Sequence, residues 1–335
     1  MKPIRVLTLV SLVVSIALAA LQPTAASAQT AADAAAYPNP NRPIRLVVPF
    51  PPGGAVDTLA RKISEELRKR LNGQVIVENR PGAGTIIGTE AVAKSPPDGY
   101  TLLLNAPGGI VQLPWLQKLP YDPIKELQPV SVAALVPVAL IVPTTLQVGT
   151  YAQFVSYAAA HKNKMSYASL GNGSTAHIFG ESLSSKLGAG AAHTPYKGDA
   201  PAMLDLVAGR IDYMFNNVAS AIKFADRGDV KILAVTGDKR IAALRDAPTL
   251  AELGVRDFEL VGWFSIFAPA ATPRPILDKL NGALNETYQT REYLEYLASS
   301  GLTAGGGGID QFTRQVRDDH AKWGALINAN QIKVD

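Results

Sequence analysis

The chain of 335 residues contains no cysteine and only four histidines. The lack of cysteine excludes a disulfide framework, a cysteine nucleophile, thiolate metal ligands and a lipid-modified N-terminal cysteine. The four histidines, at positions 161, 177, 193 and 320, show no H-E-x-x-H or other metal-ligand spacing. We therefore expect neither a metal nor a cofactor.

Signatures of catalysis and of nucleotide binding are also missing. The nearest match to G-x-S-x-G is Gly180-Glu181-Ser182-Leu183-Ser184, which ends in serine and falls inside a predicted helix. Gly171, Gly173 and Ala176 fit the dinucleotide pattern, but the first carboxylate after the next strand is Asp199, which is better placed to cap a helix. With 32 basic and 28 acidic side chains and no basic run, nothing indicates a nucleic-acid partner.

The N-terminus has the three parts of a secretory signal. Lys2 and Arg5 precede an apolar run over residues 6–20, and Ala26-Ser27-Ala28 offers a cleavage site. A membrane anchor is the alternative, but the run is shorter than the ~20 apolar residues that a spanning helix needs. We expect residues 1–28 to be a signal peptide, cleaved after Ala28 on export to the periplasm, and residues 29–41 to be a disordered leader.

Short apolar runs alternate with helical patterns through the rest of the chain. This alternation predicts an α/β protein with mainly parallel sheets flanked by helices. Two similar α/β units in sequence, followed by a C-terminal helical set, suit a protein with two lobes. We assign residues 42–141 to lobe 1 and residues 142–262 to lobe 2. Crossing strands are expected at residues 138–142 and 260–267, so that residues 263–335 return to lobe 1 with the C-terminal helices.

A stiff loop joins the first predicted strand to the first helix. It contains Phe50, followed by two prolines, and then Gly53 and Gly54, whose N–H groups can approach a ligand closely. The positive end of the helix dipole comes next, which suits a carboxylate or phosphate. An ordinary strand-to-helix turn is the alternative, and Asp57 is better explained as a helix cap than as a catalytic acid.

The second half of the chain repeats this arrangement. Gly171 and Gly173 lie between a predicted strand and helix, and Ser174 and Thr175 can either cap that helix or donate hydroxyl hydrogen bonds to a ligand. For Ser174 alone, capping is the better explanation. His177 lies in the first turn, where the helix dipole disfavours its charged form, so a neutral N–H could donate to a ligand or to a carbonyl.

Two further side chains are candidates for the cleft. Tyr196 follows a predicted strand and can line the cleft or simply pack. Asp212 lies within the apolar run of residues 211–215, and a carboxylate on a buried strand needs partners. Those partners could be backbone amides or an amine or hydroxyl of a ligand.

Several motifs, taken in order, resemble the periplasmic solute-binding components of tripartite tricarboxylate transporters, also called Bug receptors. The resemblance extends over residues 43–332. The motifs are Val48-Pro49-Phe50-Pro51-Pro52-Gly53-Gly54 with Asp57, Val77-Glu78-Asn79-Arg80-Pro81-Gly82-Ala83-Gly84, Pro97-Asp98-Gly99-Tyr100-Thr101-Leu102, Gly171-Asn172-Gly173-Ser174 with His177, Pro195-Tyr196-Lys197-Gly198 and Leu233-Ala234-Val235-Thr236.

This resemblance implies a two-lobed, type II-like periplasmic-binding-protein fold and no enzymatic activity. Each lobe would be a mixed, mainly parallel sheet flanked by helices, with the ligand cleft between the lobes. It implies that the loops over residues 50–57 and 171–177 hold a ligand carboxylate through backbone amides and hydroxyls, with ordered water helping from the other lobe. Asn105, Ala106 and Asp212 would also line the cleft. The segment Asn105-Ala106-Pro107-Gly108-Gly109 departs from the family's more usual Thr-Pro-Gly-Ser, which could alter the wall that sets selectivity.

The function predicted is capture of a small carboxylate by cleft closure and its delivery to the membrane components of the transporter, by a monomer that is not itself embedded in the membrane. Di- and tricarboxylates, acidic amino acids and aromatic acids all fit the family's range. One alternative is a ligand-presenting sensor for a two-component kinase; another is a secreted enzyme acting on small acids. The enzyme needs a nucleophile–base pair or metal cluster that the sequence lacks.

Overall fold

A computed structural model describes residues 37–333, which form two mixed sheets flanked by helices. The first sheet contains β1 (Ile44–Val48), β2 (Val75–Asn79), β3 (Thr101–Asn105), β4 (Leu127–Val136), β10 (Gly262–Pro269) and β11 (Thr303–Gly306). The second sheet contains β5 (Val138–Pro143), β6 (Ser166–Ser169), β7 (Ala192–Pro195), β8 (Tyr213–Asn217) and β9 (Val230–Val235). Each sheet is the centre of one lobe.

The α-helices lie mainly between the strands in chain order. They are α1 (Ala55–Leu71), α2 (Ile86–Ala93), α3 (Leu113–Leu116), α4 (Pro123–Glu126), α5 (Tyr151–Ala160), α6 (Thr175–Leu187), α7 (Asp199–Val207), α8 (Val218–Asp226), α9 (Arg274–Tyr288), α10 (Arg291–Ser299) and α11 (Ile309–Ala329). A π-helical turn, Gly108–Gln112, connects β3 to α3. In α1 the buried residues Val56, Leu59, Ile63 and Leu67 recur at the helical spacing that the sequence shows.

Pairing within the sheets is less parallel than the sequence analysis predicts. The strands β1, β2 and β3 pair in parallel, as do β6, β7 and β8. All pairs made by β4, β5, β9, β10 and β11 are antiparallel. The predicted two-lobed α/β fold of mixed sheets flanked by helices is confirmed. Antiparallel strand pairs outnumber parallel ones, because the strands that connect the lobes run antiparallel to their neighbours.

The chain passes from the first sheet to the second between β4 and β5, at Pro137. Because β5 pairs with β8 and β9, the predicted lobe boundary after residue 141 falls inside β5 of the second sheet. The chain rejoins the first sheet at Gly262, where β10 pairs with β3 and β4. The crossing strands predicted at residues 138–142 and 260–267 thus lie next to the two points at which the chain passes between the sheets.

The C-terminal helices cover the first sheet. Buried residues of α9 and α10, among them Leu280 and Tyr293, pack in one apolar core with β1, β3 and α1. The last helix, α11, packs against β4 and also touches α6 of the second lobe, where the rings of Trp323 and Phe179 have centroids 5.2 Å apart. A second apolar core therefore continues across both lobes.

The predicted disordered leader is wrong for Tyr37, the first residue that the structure describes. Tyr37 is 2 % exposed, its hydroxyl donates to the Gly99 carbonyl at 2.9 Å, and its ring packs edge-on against Tyr100. The predicted signal peptide and residues 29–36 of the leader lie outside the described residues. Within residues 37–333 no helix combines the length and apolar composition that crossing a bilayer demands.

Candidate functional site

A cleft of about 370 Å³ lies between the two sheets. Most of its lining comes from segments that follow the carboxyl ends of strands: β1 and β3 in one lobe, and β6 and β8 in the other. Ligand sites in α/β folds usually lie at this end of the strands. The lining residues are Phe50, Gly84, Thr85, Ala106, Pro107, Gly108, Gln112, Leu113, Val136, Val138, Leu170, Asn172, Gly173, Ser174, Thr175, Ala176, Phe215, Asn216, Asn217, Gly262, Trp263 and Phe264.

The first predicted loop reaches this cleft through Phe50. Gly53 and Gly54 are exposed and are not among the lining residues. Gly53 has a φ of +84°, in the left-handed region that favours glycine, and Gly54 is the N-terminal cap of α1. The backbone of this loop is thus exposed to solvent at the edge of the cleft.

Asp57 holds this loop in shape from inside α1. Its carboxylate accepts hydrogen bonds from the Gly53 N–H at 2.9 Å, from Asn79 Nδ2 at 3.0 Å and from Arg61 at 3.0 Å. The Arg61 hydrogen bond, reinforced by the Gly53 N–H, lowers the pKa of Asp57 to about 2. Asp57 is only 3 % exposed and is not among the lining residues, so its observed role is to shape the loop.

The second predicted loop lies directly at the cleft, and Ser174 organises it. The Ser174 hydroxyl donates to the Gly171 carbonyl at 2.7 Å and accepts from the His177 N–H at 3.3 Å. Gly171 has a φ of +120°, which a residue with a side chain rarely adopts. Ser174 therefore caps α6, as the sequence analysis prefers, and its hydroxyl hydrogen is already used within the loop.

Thr175 follows and has different partners. Its hydroxyl oxygen accepts a hydrogen bond from Gln112 Nε2 at 3.1 Å, which joins the second lobe to the first across the cleft. Among residues 37–333, no acceptor receives a hydrogen bond from the N–H of Thr175 or of Ala176. The first turn of α6 therefore offers two backbone donors and one hydroxyl hydrogen at the positive end of the helix dipole.

His177 supports the loop from below rather than lining the cleft. Its Nδ1 accepts a hydrogen bond from the Gly173 N–H at 3.1 Å, so the ring is neutral with its proton on Nε2. The ring stacks on His193 with centroids 3.9 Å apart. Burial lowers the pKa of His177, and burial, with a smaller contribution from the neighbouring imidazole of His177, lowers the pKa of His193 to about 4. The sequence analysis expects a His177 N–H to donate to a ligand or to a carbonyl, whereas in the observed bond the ring nitrogen accepts from the loop's own backbone.

The far wall of the cleft comes from the segment after β3. Asn105 is buried; its Nδ2 donates to Thr89 and its Oδ1 accepts from the Ala106 N–H at 2.8 Å. Ala106 is among the lining residues, whereas Asn105 lies behind it. Sequence reasoning missed Gln112, six residues further on, because the π-helical turn that brings it to the cleft has no recognised sequence signature.

The sequence analysis also missed Thr85 and Asn216. Thr85 has a φ of +86°, and its buried hydroxyl has no hydrogen-bond partner among the described residues. Asn216 lines the cleft at the carboxyl end of β8, and its Nδ2 donates to Asp199 Oδ1 at 2.6 Å. Thr85 follows a glycine-containing loop and Asn216 lies at the end of a strand, and these positions could have identified both residues as candidates for the cleft lining.

Tyr196 and Asp212 lie outside the cleft lining. The Tyr196 hydroxyl donates to Asp205 at 2.7 Å. Asp212 precedes β8, at the edge of the parallel strands opposite to the cleft, and its carboxylate accepts from the Ser166 N–H at 2.7 Å and from the Tyr157 hydroxyl at 3.3 Å. The partners that a buried carboxylate needs are thus supplied by the protein, and the structure does not support a ligand contact for Asp212.

The cleft lining carries no charged side chain among residues 37–333. A larger cavity of about 800 Å³ lies elsewhere, between α11 and the second lobe, and its lining includes Lys186, Asp238, Glu259, Asp319 and Lys322. None of the predicted site residues belongs to that cavity. In the described part of the chain, no group of three or more histidine or acidic side chains is placed to hold a metal ion.

Comparison with known proteins assigns the chain to a family. The model of the tripartite tricarboxylate transporter family receptor matches residues 59–332. The protein BugT of Bordetella pertussis is 33 % identical over 311 residues, which cover 92 % of this chain and 95 % of BugT.

Two solved structures share the fold at similar identity. The Rhodopseudomonas palustris protein Rpa4515 with adipate has a TM-score of 0.75 and 33 % identity, covering 88 % of this chain and 99 % of its own. MatC of the same organism with bound malate has a TM-score of 0.73 and 30 % identity, covering 86 % and 99 %. The chain belongs to the tripartite tricarboxylate transporter receptor family, whose members are two-lobed extracytoplasmic solute-binding receptors and not enzymes.

Proposed function

We propose that the chain captures a small carboxylate in the cleft between its lobes and delivers it to the membrane components of a tripartite tricarboxylate transporter. The observation that carries the proposal is the pair of free N–H groups on Thr175 and Ala176, at the start of a 13-residue helix that opens on the cleft. A carboxylate fits there because two N–H donors and the helix dipole favour an anion. The related proteins that hold adipate and malate support this ligand chemistry.

Binding would proceed by closure of the two lobes around the ligand. The carboxylate would accept from the first turn of α6, and the Thr175 hydroxyl would turn its free hydrogen towards it. Gln112 already bridges to Thr175 from the first lobe, so a ligand at this point contacts both lobes. The exposed loop at Gly53 and Gly54 would then close over the opening, and the closed form would be recognised by the membrane partner.

The remaining parts of the proposal concern export and the contacts. We propose that the signal peptide is cleaved after Ala28 and that the mature protein acts as a monomer in the periplasm. Among the residues predicted from the sequence, those that also line the cleft are the proposed ligand contacts: Phe50, Ala106, Gly173, Ser174 and Thr175.

A thermal-shift screen over small carboxylates tests the proposal. A ligand at 100 times its Kd adds about 2.7 kcal/mol to the free energy of unfolding, which corresponds to a Tm increase of roughly 2 °C or more. At least one acid should produce such a shift. No shift from any acid, together with turnover of one of them, would contradict a binding function.

Two substitutions of Thr175 can separate the contribution of its backbone N–H to ligand binding from that of its hydroxyl. Thr175→Val removes the hydroxyl and keeps the N–H, whereas Thr175→Pro removes both. Proline is tolerated there because Thr175 is the first helical residue and Ser174 has an extended backbone, with φ −70° and ψ 158°. We expect Thr175→Pro to bind the acid several-fold more weakly than Thr175→Val. Equal affinities of the two variants would show that this N–H does not hold the ligand.

A further inference from the structure

The cavity of about 800 Å³ lies directly behind the two links at which the chain passes between the sheets. Val136 and Gly262, which pair where the links meet, line the cleft. Their chain neighbours Leu135 and Val261 line the larger cavity instead. Neighbouring residues of a strand face opposite sides of its sheet, so the links separate the two spaces. We call the larger one the rear cavity.

The lining of the rear cavity combines apolar surface with an excess of negative charge. Lys186 at the end of α6 pairs with Asp257 at 2.6 Å. Among the described residues, this leaves Lys322 as the one lining cation against three remaining carboxylates, those of Asp238, Glu259 and Asp319. Leucine, valine and alanine side chains supply the apolar part: Leu135, Leu260, Val261, Ala325, Leu326 and Ala329. A cavity of this size and mixed lining suits an organic molecule, and the surplus charge favours a cation.

Asp319 is the buried carboxylate of this lining. It is 8 % exposed, and its Oδ2 accepts a hydrogen bond from Trp263 Nε1 at 3.0 Å, so Oδ1 keeps room for a further donor. Burial raises the pKa of Asp319, and the smaller opposing effects of Trp263 and Lys322 do not offset it. A buried carboxylate whose charge is stabilised only in part gains from a cation placed beside it.

Trp263 connects the rear cavity to the cleft. It lines the cleft, while its indole N–H is bound to Asp319 in the rear cavity. Gln112 bridges the cleft to Thr175 at 3.1 Å in the same structure in which the rear cavity is wide. Because the two spaces lie on opposite sides of one hinge line, a narrow cleft and a wide rear cavity belong to the same state of the lobes.

We propose that the rear cavity binds an organic ammonium ion with an apolar body, which pairs with Asp319 and stabilises the closed form of the receptor. The ammonium group donates to Asp319 Oδ1, and the apolar body lies against Leu260, Val261 and Leu326. Binding of the amine is independent of the proposed function, whereas its effect on the cleft rests on that function. Since coupling between two sites is reciprocal, an amine that favours the closed form also raises the affinity for the acid.

Hexylamine and 1-hexanol are matched probes, because they share a six-carbon chain and differ in the charged group. We expect isothermal titration calorimetry at neutral pH, without any acid present, to show hexylamine binding at least tenfold more tightly than 1-hexanol. Equal affinities, or no binding of hexylamine, would overturn the inference. The proposed function would stand in either case, because it involves only the cleft.

Asp319→Asn locates the charge that holds the amine. The amide keeps the shape of the side chain and an oxygen for the Trp263 N–H, so the affinity for hexylamine should fall at least tenfold with the fold intact. Asp318→Asn is the matched control, because Asp318 is the next residue on α11, is exposed and does not line the rear cavity. The same loss in both variants would mean that the amine responds to the general charge of α11, which contradicts a site at Asp319.

A second pair of variants tests the site without removing a buried group. Ala325→Trp fills the rear cavity from an exposed lining position on α11, whereas Ala321→Trp adds the same ring at an exposed position outside the lining. We expect only Ala325→Trp to lose hexylamine binding. Unchanged binding in Ala325→Trp would place the amine elsewhere and overturn the inference.

The effect on the cleft is measured by titrating the acid with and without the amine. Saturating hexylamine should raise the affinity for adipate or malate, whichever binds more tightly, at least threefold, and Asp319→Asn should abolish the increase. An unchanged or lowered affinity would overturn the stabilisation of the closed form. Binding of hexylamine by a protein that binds no acid would contradict the proposed function and leave the amine site intact.

Discussion

Ser174 and Thr175 are neighbours in the chain, but their hydroxyl groups are used differently. The Ser174 hydroxyl both donates and accepts within its own loop, whereas the Thr175 hydroxyl accepts from Gln112 and keeps its hydrogen free. This difference distinguishes a hydroxyl that stabilises the loop from one whose hydrogen can still be donated to the proposed ligand. It is invisible in the sequence, where both residues fit either role.

Substitution of the two residues should therefore have different effects. Ser174→Ala removes a helix cap and should lower the free energy of unfolding by about 1 kcal/mol. Thr175→Val removes a free hydroxyl donor and should weaken ligand binding with a smaller effect on apo stability. Chemical denaturation and calorimetry on both variants measure the two effects. If Ser174→Ala lowers affinity more than Thr175→Val does, the assignment of the two hydroxyls is wrong.

Asp57 makes a testable contribution to stability. Its pKa is about 2 in the folded protein, below the usual value near 4, because Arg61 and the Gly53 N–H bind the charged form. The stabilisation is therefore complete above about pH 4 and is lost as the pH falls towards 2. The stability difference between the wild type and Asp57→Asn, measured by urea denaturation, should shrink over that range.

A control for this measurement is Asp278→Asn. Asp278 pairs with Arg274 on the exposed face of α9, where both side chains are more than half exposed. Exposed ion pairs contribute little, so this variant should stay within about 1 kcal/mol of the wild type. A difference that does not change with pH would mean that folding does not lower the pKa of Asp57 and would contradict the role given to Arg61 and the Gly53 N–H.

At the scale of the element, two helices each contain an interior glycine with a different environment. A Cβ added to Gly180 in α6 would lie 2.3 Å from the ring of Tyr167, on the neighbouring strand β6. A Cβ added to Gly282 in α9 would meet nothing within 4 Å. Gly180 therefore allows the helix to lie close to the sheet, whereas Gly282 has no such role.

Alanine substitutions at these glycines should change stability in opposite directions. Gly282→Ala should stabilise the protein by about 0.5–1 kcal/mol, because alanine has the higher helix propensity. Gly180→Ala should destabilise it by about 1–3 kcal/mol, because the tightly packed helix and strand must separate. Thermal and urea unfolding of both variants check this. Stabilisation by Gly180→Ala would show that α6 can shift without cost.

Helices with a strong local sequence pattern could be predicted from the sequence, whereas the pairing of the strands could not. The spacing of Val56, Leu59 and Ile63 predicts α1, and Thr150 with Gln153 predicts the capping box that begins α5. The direction of β5 and β10 depends on contacts made by residues far apart in the chain. Gln112 reaches the cleft through a π-helical turn, which no short-range pattern indicates.

At the scale of the whole molecule, the two lobes share an apolar core. Phe179 of α6 packs against Trp323 of α11, and the same cluster includes Trp263 and Phe312 from the first lobe with Phe215 from the second. The three tryptophans, Trp115, Trp263 and Trp323, all belong to elements outside the second sheet. Tryptophan fluorescence therefore reports on the first lobe and, through Trp323, on its contact with Phe179, whereas far-UV circular dichroism reports on both lobes.

The shared core predicts a single unfolding transition. Fluorescence and circular dichroism should give the same Tm for the wild type. Phe179→Ala should destabilise the protein by about 3–5 kcal/mol and separate the two transitions, because it removes packing between the lobes. Phe154→Ala is the matched control: Phe154 is equally buried but packs on Tyr213 inside the second lobe. Separation in both variants, or in neither, would contradict a coupling role for Phe179.

The two links between the sheets lie side by side, since Val136 at the end of β4 pairs with Gly262 at the start of β10. Opening of the lobes would turn about this line, and points far from it would travel furthest. Ile76 on the edge strand β2 and Leu204 on α7 are both exposed, on different lobes. Because the chain has no cysteine of its own, a cysteine introduced at each of these sites could carry a pair of dyes, and the receptor would become an optical sensor for its acid.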